Sequence, residues 1–188
     1  LKAEIETEKG NFVNALNDIK KAIEFNGNNP PYFVQRGIIN YELEKVSEAW
    51  SDFETAIKID PNDPNTYLTY SSLKNESGNF KEGLEIIEKA FELDAKDSDY
   101  LFVRGWSRSE LENYEEAMED FKKVIKNNPK DERAIHNLSV CKFRVKNYNE
   151  ALELSNKAIS ICKDEENLKP TFLKHRGEIL LDIEELEA

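Results

Sequence analysis

The chain has 188 residues, of which 34% are charged, and its 26 basic and 38 acidic residues give a net charge of −12 at pH 7. This acidity excludes most partners that carry a phosphate backbone or an anionic membrane surface and favours a basic or neutral partner. No apolar run reaches the roughly 18 residues of a membrane span, and residues 1–12 lack the apolar core of a signal peptide, so a cytoplasmic location is expected.

Small residues recur along the chain at a spacing of 34 residues. The first series is Ala15, Ala49, Gly83, Ala117 and Ala151. The second series lies seven residues further on and consists of Ala22, Ala56, Ala90, Val124 and Ala158. Two small residues seven apart share one face of a helix and let a neighbouring helix approach to about 8–10 Å. The period therefore predicts a stack of helix pairs in which each pair occupies 34 residues.

The first predicted elements are in residues 1–29, where the pattern indicates a truncated first helix and a complete second helix. Because the chain begins at Leu1 rather than Met, we expect a fragment or a processed product. The unit 30–63 contains the first complete pair. Its first helix is expected to pack through Phe33 and Gly37.

The second helix of this unit is predicted to begin at about Glu48, with Ser47 as the N-cap after a short polar turn. An apolar stripe of period 3.6 consists of Ala49, Phe53, Ala56 and Ile57, and the opposite, solvent-facing side is expected to carry Asp52, Glu54 and Lys58. The helix should end at Asp60, because proline at position 61 disfavours helical geometry in the preceding residue.

The same pattern continues through residues 64–97, 98–131 and 132–169, and residues 170–188 form a further partial unit or a capping helix. From Ser139 to Gly177 the spacing is 38 residues instead of 34. We therefore expect a longer loop or an extra helical turn at 164–169.

Two units carry the motif A-x3-F with a proline twelve residues after the alanine. The motif residues are Ala49, Phe53 and Pro61 in one unit and Ala117, Phe121 and Pro129 in the other. This pattern resembles the tetratricopeptide repeat. The resemblance covers essentially the whole chain and implies an all-α fold, a right-handed α-solenoid of helix-turn-helix repeats. The implied organisation is one solenoid over 1–188, with a partial repeat at each end.

The chain departs from the family pattern at two positions of the first helix. The second aromatic of the pattern is replaced by polar residues, namely Asn40, Lys74, Arg108 and Lys142. Arginine stands before the small residue where the pattern has leucine, at Arg36, Arg104 and Arg176. We expect these arginines to cover apolar surface with their stems while the charge remains in water.

In this family the first helices line a concave surface, which usually binds an extended or helical segment of another protein. Projected onto this chain, the resemblance implies a partner-binding groove of Val34, Ile38, Tyr41, Leu68, Ser72, Phe102, Val103, Trp106, Arg133, His136, Asn137, Val140, Phe143 and Lys174. Several of these side chains are apolar or aromatic where an idle surface would be polar, which is typical of an interaction site. If the helical register differs by one position, the same residues are core residues.

Charge is distributed unevenly along the expected groove. Acidic residues precede the basic ones, in the order Glu4, Glu8, Glu42, Glu76, Asp99 and Glu110, then Arg133, Arg144 and Lys174. A partner with apolar anchors and some basic charge would be oriented by this polarity. The alternative is an ordinary solvated face.

No catalytic motif is present, so we expect no enzymatic activity, no cofactor and no metal site. The two histidines, His136 and His175, are expected at the surface or in the groove, and Cys141 and Cys162 are expected to be small buried apolar residues. The sequence favours a protein-interaction scaffold. A regulatory or targeting arm of a larger enzyme or transport machine, and self-association through the incomplete ends, are the alternatives.

Overall fold

The computed structural model describes residues 11–93, 97–164 and 167–187. These ranges contain helices and no strand. The helices are α1 (Phe12–Phe25), α2 (Pro30–Glu42), α3 (Val46–Ile59), α4 (Pro64–Glu76), α5 (Phe80–Leu93), α6 (Ser98–Glu110), α7 (Tyr114–Asn127), α8 (Glu132–Arg144), α9 (Tyr148–Ile161) and α10 (Leu168–Glu187). None of the helices in the described ranges is both long enough and apolar enough to cross a membrane.

The helices pack chiefly on their neighbours along the chain. Within each pair, α2 contacts α3, α4 contacts α5, α6 contacts α7, and α8 contacts α9. Each second helix also contacts the next first helix, and the first helices α4, α6, α8 and α10 touch in succession. The predicted all-α repeat solenoid is therefore confirmed, and its core is the sum of the interfaces between neighbours.

The small residues of the repeat lie where the helices of a pair approach most closely. Ala49, Ala56 and Ala117 are completely buried. A Cβ atom added to Gly37 would lie 2.9 Å from the ring of Phe53, closer than real Cβ atoms come to a neighbour. The small residue at this position of α2 therefore makes room for the phenylalanine of α3.

The turn between the two helices of a pair is tighter than the sequence suggested. Glu44, Gly78, Glu112 and Lys146 all have a positive φ, between 60° and 78°. Next to Glu44, the backbone N–H of Lys45 donates a hydrogen bond of 2.8 Å to the carbonyl of Asn40. This left-handed residue reverses the chain within three residues. The second helix consequently begins at Val46, and the prediction that Ser47 is the N-cap was wrong.

The prediction that Asp52 faces solvent was also wrong. Its carboxylate is buried and accepts hydrogen bonds from Arg36 Nε, at 3.0 Å to each oxygen, and from Asn40 Nδ2 at 2.9 Å. The pairing explains both departures from the family pattern in this unit, because Arg36 and Asn40 supply the donors that a buried carboxylate requires.

A second buried carboxylate stands 68 residues later, at Asp120. It accepts hydrogen bonds from Arg104 Nε at 2.9 Å, Arg104 Nη2 at 2.7 Å and Arg108 Nη1 at 2.6 Å. Arg104 is buried, so the expectation that its charge remains in water was wrong. In the units 64–97 and 132–169, the positions equivalent to the arginine and the aspartate of these ion pairs are apolar or aromatic. They are Tyr70 and Ile86 in the first of these units, and Leu138 and Leu154 in the second.

The four additional residues divide between the connection of α9 to α10 and the start of α10. This connection has six residues, where the other pairs are joined by four, and α10 begins nine residues before Gly177, whereas α8 begins seven residues before Ser139. Residues 162–164 are not helical, and Asp164 accepts a hydrogen bond from the backbone N–H of Asn167 at 2.9 Å. Residues 165 and 166 lie outside the described ranges, as do Glu4, Glu8 and the truncated first helix predicted in 1–29. Cys141 and Cys162 are free and buried, as expected of small apolar residues.

Candidate functional site

The first helices of three successive pairs, α4, α6 and α8, enclose a pocket of about 350 Å³. Its lining consists of Leu68, Ser72, Glu76, Asp99, Phe102, Val103, Trp106 and Arg133. Six of these residues belong to the groove that the family resemblance implied. Since they come from three helices 34 residues apart, only the stacking of the pairs brings them together.

Aromatic packing holds the apolar wall of this pocket in place. The ring of Phe102 meets Phe121 edge to face at 5.9 Å, and the guanidinium of Arg133 lies over Phe102 at 4.8 Å from the ring centre. Trp106 meets Phe80 at 6.4 Å. Val103 is buried and contributes to the floor, whereas Phe102 and Trp106 stay partly exposed. The pocket therefore presents apolar surface that is already ordered before a ligand arrives.

At the α4 wall of the pocket, the carboxyl group of Glu76 is affected by the carboxylate of Glu42 on the neighbouring helix α2. Burial raises the pKa of Glu76, and the nearby carboxylate of Glu42 raises it further. Burial also raises the pKa of the Tyr41 hydroxyl, to which Glu76 and Glu42 add. A cation from a ligand placed here would relieve this repulsion.

A second pocket, of about 300 Å³, lies between α2 and α4. Its walls are Pro31, Val34, Gln35, Ile38, Asp63, Asn65, Thr66 and Thr69. Val34 and Ile38 of the expected groove thus lie in a neighbouring pocket on the same layer of first helices. Tyr41, one turn further on, lines neither pocket, and its ring lies tilted against Trp50 with ring centres 5.6 Å apart.

Two of the expected groove residues of α8, His136 and Phe143, pack against α10. His136 stacks on Phe172 with ring centres 4.3 Å apart, and Phe143 meets His175 at 5.5 Å. Asn137 donates to the carbonyl of Arg133 within its own helix, and Val140 is half-buried. Lys174 is the most solvated residue of the group.

The two histidines form a pair that sequence reasoning missed. Their ring centres are 5.2 Å apart, and His175 is buried with its Nε2 3.1 Å from Ser139 Oγ, so the expectation of a surface position for His175 was wrong. Burial, and then the neighbouring His175, lower the pKa of His136 to about 4. The repeat had assigned the two histidines to adjacent first helices, but the contact between their rings depends on how those helices pack. Within the described ranges, no group of three or more potential ligands could hold a metal ion.

Two family models described as Tetratricopeptide repeat match residues 64–97 and 98–131. No curated protein sequence matches the chain significantly.

Three solved structures illustrate the structural likeness. A tetratricopeptide repeat protein from Parabacteroides merdae has a TM-score of 0.82 and 22% identity, covering 96% of this chain and 70% of that one. MamA from Desulfovibrio magneticus RS-1 has a TM-score of 0.77 and 18% identity, covering 88% and 93%. YrrB, described as a TPR protein with an unusual peptide-binding site, has a TM-score of 0.70 and 23% identity, covering 87% and 84%. At such identities the likeness concerns the fold.

Proposed function

Because the chain belongs to the tetratricopeptide repeat family, we propose that it is a protein-interaction scaffold whose concave face binds an extended or helical segment of a partner protein. One observation carries the proposal for the groove, namely the pocket among α4, α6 and α8, where Leu68, Phe102 and Trp106 offer apolar surface. Ordered apolar concavities with a few charged groups at the edge are typical of binding sites.

The size of the pocket limits what it can take. A volume of about 350 Å³ is at the small end of ligand sites. It suits one or two bulky apolar side chains of a partner segment. Trp106 is the best candidate for the central contact, because tryptophan is enriched among residues that dominate binding energy.

The charged residues at the edge of the pocket favour partner residues of opposite charge next to that anchor. Glu76 and Asp99 lie on the lining together with Arg133. A basic residue of the partner would meet the two carboxylates, while an acidic residue would meet the guanidinium. The remaining groove charges extend this polarity, with Glu42 at the α2 end and Lys174 at the α10 end. Such steering acts mainly on the rate and orientation of association and weakens with salt.

The other expected groove residues have narrower roles in this proposal. Val34 and Ile38 extend the binding surface towards the N-terminal end through the second pocket. His136 and Phe143 shape the C-terminal end of the surface through their packing on α10. The partner segment would contact Ser72, Asn137 and Val140 between these ends and would pass Tyr41 at the edge.

A selection from a random peptide library on the whole 188-residue chain tests the proposal. Peptides recovered should carry an aromatic or aliphatic anchor near a basic residue. Replacing Trp106 with alanine should weaken their binding about 30-fold, the loss expected for a dominant contact. Charge reversal in Arg133→Glu should shift the selected peptides towards additional basic residues.

Trp50→Ala is the matched control. Trp50 lies on a second helix and packs between Tyr41 and Tyr70, with the Lys74 ammonium 4.4 Å from its ring centre. The control should lose stability and retain peptide affinity. Equal affinity of the wild type and Trp106→Ala for every selected peptide would refute the proposed groove. Phe102→Ala is a less clean probe, because its ring also packs against the core at Phe121.

A further inference from the structure

A small cleft lies between the second helices α1 and α3, with α2 as its floor. Its volume is about 240 Å³, and its lining includes Lys20, Arg36, Asn40, Lys45, Glu48 and Asp52. None of these residues lines the pocket among α4, α6 and α8. We call this space the α1–α3 cleft. Equivalent clefts occur in the next three units, because each first helix packs against the second helix on either side of it.

In the three equivalent clefts, a long cationic side chain of the first helix extends into the space and pairs with a carboxylate of the second helix. These pairs are Lys74 with Glu82 at 2.6 Å, Arg108 with Asp120 at 2.6 Å, and Lys142 with Glu150 at 2.7 Å. The residue at the same position of α2 is Asn40, whose shorter side chain donates to Asp52 at the floor. Because Asn40 does not extend into the α1–α3 cleft, the space remains a cavity.

The charge of the α1–α3 cleft also differs from that of the equivalent clefts. Lys45 stands where the next three units all have asparagine, and Lys20 stands where the next two units have glutamate. Lysine and arginine therefore outnumber carboxylates in this lining, whereas carboxylates equal or outnumber the cations at the same positions of each following cleft. In a chain with a net charge of −12, this cleft is a local basic site.

Arg36 presents an ordered guanidinium to the cleft. Its Nε lies 3.0 Å from each carboxylate oxygen of the buried Asp52. In the equivalent residue Arg104, the ring of Phe91 covers the guanidinium at 3.7 Å from the ring centre. The residue equivalent to Phe91 is Ile23, and the side chain of Arg36 is 25% exposed against 9% for Arg104. Because Asp52 fixes one edge of the planar group, the remaining N–H groups are held in position for a second acceptor.

We propose that the α1–α3 cleft binds a compact oxyanion, a phosphate or a carboxylate group. Arg36 donates N–H bonds to two oxygens of the anion, the pairing that a guanidinium forms with both groups. Lys20 and Lys45 add positive charge from the two sides of the cleft. The volume is below the range of sites for drug-sized ligands, so it suits a single anionic group. Glu48 is the exposed carboxylate of the lining, and it weakens the attraction.

A ¹H–¹⁵N NMR titration of the whole 188-residue chain with sodium phosphate, at constant ionic strength, tests the proposal. Saturable shifts should appear at the Nε–H of Arg36 and at the backbone N–H groups of Lys20 and Lys45. Lys45→Asn, which introduces the residue of the other units, should raise the dissociation constant about fivefold, the effect of losing one exposed ion pair. Glu48→Gln should lower the constant by a similar factor, because it removes the repulsion. Arg36 itself is left unchanged, because its removal would strand the buried Asp52.

Lys20→Glu and Lys122→Glu form a matched pair of variants. Lys122 is exposed and occupies the position equivalent to Lys20 in the last of the four clefts, where Lys142 pairs with Glu150. Both substitutions change the net charge of the chain equally. Lys20→Glu should raise the dissociation constant for phosphate at least about fivefold, and Lys122→Glu should leave it unchanged. Circular dichroism of each variant checks that the helices remain folded.

A free anion and an acidic side chain of a partner segment offer the same chemistry, and two capped tripeptides, Gly-Glu-Gly and Gly-phosphoserine-Gly, distinguish these sources. A tripeptide that binds at least as tightly as inorganic phosphate would assign the group to a partner segment, whereas weaker or absent tripeptide binding would assign a free anion. The proposal is overturned if neither phosphate nor either tripeptide gives saturable shifts, or if Lys20→Glu and Lys122→Glu weaken binding equally. It does not depend on the peptide groove, since Trp106→Ala should leave phosphate affinity unchanged.

Discussion

The buried carboxylate of Asp120 allows a strong test of how this solenoid tolerates charge in its core. The side chains of Arg104 and Asp120 are only 9% and 1% exposed, and the carboxylate accepts three hydrogen bonds from Arg104 and Arg108. Asp120→Leu would leave the Arg104 guanidinium buried without its counterion. Breaking a buried ion pair in this way costs about 3–5 kcal/mol of unfolding free energy.

In the next repeat unit, apolar residues occupy the two positions equivalent to Arg104 and Asp120. At the positions 34 residues later stand Leu138 and Leu154, which pack in one apolar cluster. The double variant Arg104→Leu/Asp120→Leu should therefore recover most of the lost stability, because replacing both partners of a buried ion pair with apolar side chains is often close to neutral. Arg108 retains contact with Glu88 at 3.8 Å and with solvent.

Asp52→Leu is the matched comparison. Its partner Arg36 has a side chain that is 25% exposed, so the stranded guanidinium can reach water and the loss should be smaller, about 1–3 kcal/mol. Equilibrium urea unfolding followed by circular dichroism, at pH 7 and one protein concentration, measures all four proteins. If Asp120→Leu costs less than about 1 kcal/mol, or if the double variant is no more stable than the single one, the reasoning is refuted.

Three further predictions concern stability. Gly83→Ala should lower the free energy of unfolding by about 1–3 kcal/mol, because the new Cβ would clash with the buried Oδ1 of Asn75. The loss should be smaller in an Asn75→Ala background, and equal losses in both backgrounds, measured by urea unfolding, would contradict this. Lowering the pH from 7 to 4.5 should destabilise the wild type more than His136→Phe, since the folded pKa of about 4 lies below the unfolded value of about 6.5. The contribution of neutral His136 to the free energy of unfolding is fully present above pH 6.5 and is lost as the pH falls towards 4, by up to about 3 kcal/mol. Melting curves at several pH values would measure this loss. Ala56→Leu should cost about 1–3 kcal/mol by overpacking the helix interface, and an unchanged melting temperature would argue against tight packing there.

Much of the candidate site could be predicted from the repeat, because residues 34 apart occupy equivalent positions on successive first helices. Leu68, Phe102 and Trp106 were assigned to the groove on that basis, and the structure places them in one pocket. The repeat could not show how deeply each side chain is buried. Val103 and Phe102 are neighbours on α6 but point in different directions around the helix axis, and Val103 is buried while Phe102 remains partly exposed.

The sequence by itself determined the pairing of helices, since small residues at a fixed spacing allow close approach in one register only, as at Ala49 and Gly37. It also determined the ends of helices where proline follows, as at Asp60. Only the tertiary structure decided which charged side chains are buried. A carboxylate such as Asp120 resembles a surface residue in a helical pattern, and whether it is buried depends on donors from another helix, here Arg104, at a distance that no local pattern records.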